Sequence, residues 1–359
     1  MNFIIPITEL FTYILFSILV GHVALQFIHK DKKPTTKFPK SALLLSTLGI
    51  IVFTFGPVLQ VILYFADSVG LGLTTFSVIT DFQVGNAWIF IGFVSTLLYM
   101  TILLEGSKFL QAIWLLLMIL AVGYASHVAS LNFWYGFISH SIHFLMVTLW
   151  VGILIHVGWF SKDKKNWSSF LKWFTPLAYG ILIFIFVSGL ILMVNVVELK
   201  EYVNAWVLPY GQMLLLKHIS IIPILIFAFI NSILLNKSKS NSGYDPRTWV
   251  KAETILLLIT FFFTSVLGNL SPPHDVNFTV KSEGAASWVE WILGREIASP
   301  LQTEFLASIQ GIVLVVMSIL FLVLIIISFI KNVKPIVSIL FATCFILAMY
   351  FGLMMNINF

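Results

Sequence analysis

The sequence predicts an all-α, polytopic transmembrane bundle of about ten spans, with both termini outside. Three observations predict it. The 359-residue chain is 59% hydrophobic and only 10% charged, with a mean hydropathy of +1.02, whereas a soluble domain carries roughly 25% charged residues. Apolar runs long enough to cross a hydrocarbon core of about 30 Å recur from one end of the chain to the other. Lys and Arg are segregated into every second connection between those runs.

Taken in order, the first span covers 7–28, and no Lys or Arg precedes it, so no cleaved signal peptide is expected. The next three cover 41–64, 84–104 and 109–127. The fifth and sixth cover 137–160 and 172–197, the seventh and eighth 211–235 and 250–270, and the last two 309–330 and 334–356. Sixteen of the 20 Lys and Arg lie in or beside the odd connections, beginning with Lys30, Lys32, Lys33, Lys37 and Lys40 in the first. The even connections hold only Lys200, Lys281 and Arg295 and are rich in acid, including Asp67, Asp81, Glu198, Glu201 and Asp275. The positive-inside rule therefore places odd connections in the cytoplasm and acidic ones outside, where negative charge raises the local concentration of cations. The net charge of +5 belongs to these loop lysines and is no sign of nucleic-acid binding.

The longest outer connection, 271–308, follows the helix-stopping pair Pro272 and Pro273. Within it Trp288, Trp291, Ile292 and Arg295 fall at helical spacing, which predicts a short interfacial helix with its tryptophans at the headgroups. The chain thus divides into a helical pair (1–80), a six-span core (81–275), an outer loop (276–308) and a second helical pair (309–359). Cys344 is the single cysteine, so an intramolecular disulfide is impossible and a Cys-based metal site is not expected.

Ionisable groups inside a bilayer are costly, which makes each a functional candidate. These are His22, His127, His140, His143, His156, Lys217, His218 and Glu253. His140 and His143 are three apart, near the same face of one helix, and Met146 follows at the next i+3 step. Two imidazoles and a thioether at that spacing suit a soft or borderline metal such as copper. His127 ends the preceding run beside them, His218 enters from the same outer side, and His274 could close over the layer. The competing reading is ordinary: interfacial histidines bonded to carbonyls or water, a satisfied core His218, and Met146 as packing. Lys217 beside His218 would repel a cation unless paired or neutral. Glu253 reads as an interfacial ion pair at the inner end of the eighth span. His22 and His156 lie deeper, toward the cytoplasm.

A b-type haem protein is a second reading, since His143 and His156 are thirteen residues apart on one helix. It requires a second helix with two matching histidines, which the sequence lacks, and thirteen steps leave the two side chains about 140° apart. A non-transporting copper chaperone or assembly factor is a third. There is no P-loop, no phosphorylated-aspartate pump motif and no Cys-x-x-Cys shuttle, and no enzymatic activity is expected.

Several short stretches, weak singly but in characteristic order, carry a resemblance: GNAW at Gly85–Trp88, SHVA at Ser126–Ala129, HFLMVTLWVG at His143–Gly152, SGL at Ser188–Leu190, YGQMLLLK at Tyr210–Lys217, then Asn231, Glu253 and Pro272–Pro273. Over about 80–275 the chain resembles the CopD family of bacterial copper-resistance and copper-import membrane proteins. The resemblance implies copper transport across the bacterial plasma membrane, often beside a CopC-type extracytoplasmic copper-binding domain. No such domain lies within this sequence, which leaves a separate CopC-like partner or no donor at all. By position the resemblance carries over His127, His143, Tyr210, Lys217 and Glu253. One departure is His140, where the family usually has Asp; a neutral donor replaces an anion.

Overall fold

The computed structural model describes residues 4–163, 165–240, 245–273 and 275–359, without the side chains of 233–240. Its elements are nearly all helical. In order they are α1 (Ile4–Gln26), α2 (Lys40–Phe53), α3 (Phe55–Val69), α4 (Leu71–Thr80), α5 (Gln83–Leu103), α6 (Lys108–Tyr124), α7 (His127–Leu131), α8 (Phe133–Trp159), α9 (Trp167–Val194), α10 (Pro209–Ser240), α11 (Arg247–Gly268), α12 (Val276–Glu283), α13 (Ser287–Leu293), α14 (Ile309–Ile330) and α15 (Pro335–Met354). A two-residue strand, β1 (Glu304–Phe305), pairs antiparallel with β2 (Ile357–Asn358).

Among the described residues nine segments are long and apolar enough to cross a membrane. The tenth expected span is α6, which at 17 residues is shorter than the others. The all-helical class therefore holds, with local differences. The second span is broken at Thr54, whose N–H and hydroxyl both bond the Ile50 carbonyl. Pro57, three residues on, has no N–H to continue the ladder, so the chain restarts as α3. The fourth span stops at Tyr124, and His127 opens a separate short helix capped by Ser126, whose hydroxyl accepts from the Ala129 N–H at 3.2 Å. The 271–308 connection holds the expected helix, α13, and an unexpected one, α12, capped by Asp275. In α13 Val289 is buried and Trp291 is 81% exposed; Gly294 ends it in the left-handed region, φ 68°.

The chain forms two compact units. The first comprises Met1–Asn195 with Leu235–Arg247, the second Val196–Leu234 with Thr248–Phe359. In the first, the core includes Phe16, Leu19 and Val20 of α1, Met118 and Ile119 of α6, and Phe144 of α8. The α1–α8 crossing is unusually close: a Cβ on Gly21 would overlap the Gly152 backbone, and one on Gly152 would overlap the Ser17 carbonyl oxygen. Small residues at such crossings let helix backbones meet, which is how spans associate where burial from water provides no driving force. The outward side of α9 (Ile183, Phe184, Phe186, Val187) is exposed within its unit, as a lipid-facing stripe requires.

In the second unit Gly211 admits the Ala205 carbonyl against the start of α10. Buried Gln212 donates to the Trp206 carbonyl and, at 3.4 Å, to Met354 sulfur, and accepts from the Tyr350 hydroxyl. The Tyr210–Gln212 stretch thus ties the 199–207 connection and α15 to the head of α10.

Candidate metal-handling site

The site is built on α8 from residue 140 onward. A Cβ on Gly136 would overlap the backbone of Val128 and Ala129, so α7 lies directly against the first turn of α8. That brings the helix that His127 opens to the same end of α8 as His140 and His143. His127 is exposed; His140, His143 and Met146 are half-buried. His140 stacks on Phe144 one turn along, ring centres 6.3 Å apart.

His143 is the most closely specified of the four. Its Nδ1 lies 3.1 Å from the Ile185 carbonyl and 3.1 Å from Ser188 Oγ, both on α9. A carbonyl can only accept, so Nδ1 carries the proton. The Ser188 hydroxyl spends its own proton on the Phe184 carbonyl, which leaves Oγ as a second acceptor for the imidazole. In this tautomer Nε2 is the basic nitrogen. Metal-binding histidines are commonly fixed in this way, the remote ring N–H bonded to a carbonyl and the other nitrogen presented. Gly189 makes room for the ring: a Cβ there would lie 3.2 Å from His143 Cε1 and 3.5 Å from Nδ1. The Ser-Gly pair therefore seats the histidine. The sequence marked it as a motif without disclosing that role, because the two residues meet His143 only across a helix interface.

Several of the remaining candidates have partners of their own. His218 belongs to the second unit, where its Nδ1 is 2.7 Å from the Tyr202 hydroxyl. Burial pushes the Tyr202 phenol up to about 12, so it keeps its proton at neutral pH. Tyr210 and Lys217 are half-buried on the same helix as His218. Glu253 is enclosed by protein. It is 2% exposed and accepts from the Asn231 amide, itself buried, because the two face each other between α10 and α11. His22 lies on α1 beside His156 of α8, both far from the His143 end. His274 lies outside the described residues. Among the described residues no group of three or more His, Cys, Asp or Glu side chains is arranged to hold a metal ion. Nitrogen pairs with a thioether are what α8 provides.

Residues 168–267 match the family model of CopD, copper resistance protein D. These residues are a CopD region. The match takes in α9, α10 and nearly all of α11, and with them Ser188, Gly189, Tyr210, Lys217, His218, Asn231 and Glu253. No curated protein and no solved structure matches the chain. The recurrent apolar helices make this a multi-pass membrane protein, and over 168–267 it is similar to copper resistance protein D. The histidines of α8 precede the matched stretch, but the CopD segment supplies the seat on which His143 rests.

Proposed function

We propose that the protein transports copper across the plasma membrane, inward, from a His/Met site at the outer end of α8. His143 is the central ligand through Nε2, with His140 one turn before it and the Met146 thioether one turn after it. His127 receives the ion at the mouth. The observation that carries this reading is the anchoring of His143 Nδ1–H on the CopD segment. It supplies a fixed tautomer with the basic nitrogen on the other side of the ring. Soft and borderline donors without a carboxylate favour copper, Cu(I) above all. The acidic outer connections supply the cation-rich approach. A CopC-like donor protein outside the membrane is the natural source of the ion. Inward direction follows from the expected outside placement of the His127–Met146 end.

Copper accumulation in cells and copper flux into proteoliposomes test it together. His143→Ala is expected to cut both at least tenfold at limiting copper while leaving the amount of membrane-inserted protein unchanged. Unchanged accumulation and flux in that variant would refute the assignment. Binding of copper without flux, in wild type, would instead identify a chaperone.

A further inference from the structure

At the opposite end of α8 from His143, a second pair of imidazoles meets. His156 is thirteen residues along the helix, about 20 Å at helical rise. It is 1% exposed, and its Nδ1 lies 2.9 Å from the Gly152 carbonyl, one turn back on its own helix. Because the carbonyl accepts, Nδ1 carries the proton and Nε2 holds the lone pair. That Nε2 is fully buried and has no hydrogen-bond partner among the described residues. Buried polar atoms are nearly always satisfied, so one that is not calls for an explanation.

The ring of His22 lies 5.9 Å away, centre to centre, at an interplanar angle of 42°. A metal ion about 2 Å from one nitrogen of each of two imidazoles separates the ring centres by roughly 6 Å. The pair is produced by the Gly21–Gly152 crossing. His22 is the residue after one glycine, and His156 is one turn beyond the other, so the backbone contact fixes both Cα positions. Phe38 covers the His156 ring from the first connection, centre to centre 5.0 Å, and packs on Phe160.

We propose that His22 and His156 form a second, two-coordinate Cu(I) site, a station on the far side of the membrane path from His143. The oxidation state follows from the donor count and the surroundings. Two neutral nitrogens fall short of the four ligands that Zn(II) takes in structural sites. The charged group that acts on both rings is Lys33, and its repulsion of a monovalent ion is half that of a divalent one. Lys33 is itself turned to the Leu25 carbonyl at the end of α1. The proposal rests on the copper reading above but uses different residues, so the two can fail separately.

The test is copper stoichiometry of the full-length protein in detergent. It is loaded with Cu(I) under reductant, washed and analysed for metal, with X-ray absorption of the bound copper. Wild type is expected to hold about two copper ions per chain. His22→Ala and His156→Gln are each expected to lose one, and His143→Ala the other. The copper remaining in His143→Ala should show short nitrogen neighbours and no sulfur. His22→Ala is the safer variant for folding, since that residue is only half-buried, and a monodisperse elution profile controls for it. Wild-type stoichiometry in both His22→Ala and His156→Gln overturns the second station while leaving the His143 site standing. One copper in wild type, lost in those two and kept in full in His143→Ala, upholds the station and refutes the outer site. Iron with a haem Soret band lost in His156→Gln would overturn the Cu(I) assignment.

Discussion

At one end of α8 the His143 ring is held by a neighbour, its Nδ1–H shared between the Ile185 carbonyl and Ser188 of α9. At the other end His156 is held by its own helix, through the Gly152 carbonyl. Both arrangements put the proton on Nδ1, yet they respond differently to motion. A shift of α9 against α8 changes the tautomer and aim of His143 at once. It leaves the His156 bond intact, because donor and acceptor move as one rigid helix. An imidazole anchored across an interface can be switched by helix movement, whereas one anchored within its helix is a fixed post. Alternating access in a transporter needs at least one switchable contact, and under the transport reading proposed above that contact is the α8–α9 interface.

The largest expected effect attacks the fixed end. Gly152→Ala places a methyl against the Ser17 carbonyl and the Gly21 backbone, where no flexible side chain can yield. Such overpacking typically costs about 1–3 kcal/mol, expected as a clear fall in thermal midpoint in detergent. Binding of copper at His143 should survive in the fraction that folds. If Gly152→Ala melted like wild type, the close crossing that creates the His22–His156 pair would be wrong.

Gly189→Ala attacks the switchable end and should reverse the pattern. Its methyl would lie 3.2 Å from His143 Cε1, a contact that the ring relieves by rotating rather than by separating helices. Stability is expected to change little. Disturbing the groups that orient a metal ligand typically costs 10–100-fold in metal affinity, and a Cu(I) competition titration should show a loss toward the lower end of that range. Equal losses of stability and affinity in the two glycine variants would dissolve the distinction between the ends.

Much of the fold was legible in the sequence because a bilayer imposes it. Twenty-residue apolar runs mark membrane helices directly: among the described residues nine of the ten expected spans are long and apolar enough, and the tenth, α6, is a helix of 17 residues. The misreadings arose where local chemistry broke a continuous apolar run. Thr54 with Pro57 divides the second span, and Ser126 caps a new helix that takes His127 out of the fourth. Apolar composition does not register a kink. The candidate site, which remains a proposal, was half legible in its residues. Spacing brought out His140, His143 and Met146, since those are neighbours on one helix. It could not bring out Ser188 and Gly189 as the seat of His143, nor pair His22 with His156, because those meetings depend on which helix faces pack. Glu253 looked interfacial from its place near Lys251; only the packing of α10 on α11 shows it buried against Asn231.

Ser188→Ala gives the smallest effect and the sharpest test of how His143 is held. The variant removes Oγ, one of two acceptors for the Nδ1 proton, and leaves the Ile185 carbonyl in place at 3.1 Å. It also removes the hydroxyl's bond to the Phe184 carbonyl, but that carbonyl lies within a helix and keeps its backbone acceptor role. A neutral hydrogen bond contributes about 0.5–1.5 kcal/mol net, and half of a shared one contributes less. Copper affinity should therefore fall no more than about threefold, with the fold intact. A loss as large as that expected for Gly189→Ala would mean that Ser188, and not the backbone of α9, sets the tautomer of His143. The switch would then lie in one hydroxyl, which can rotate without any movement of the helices.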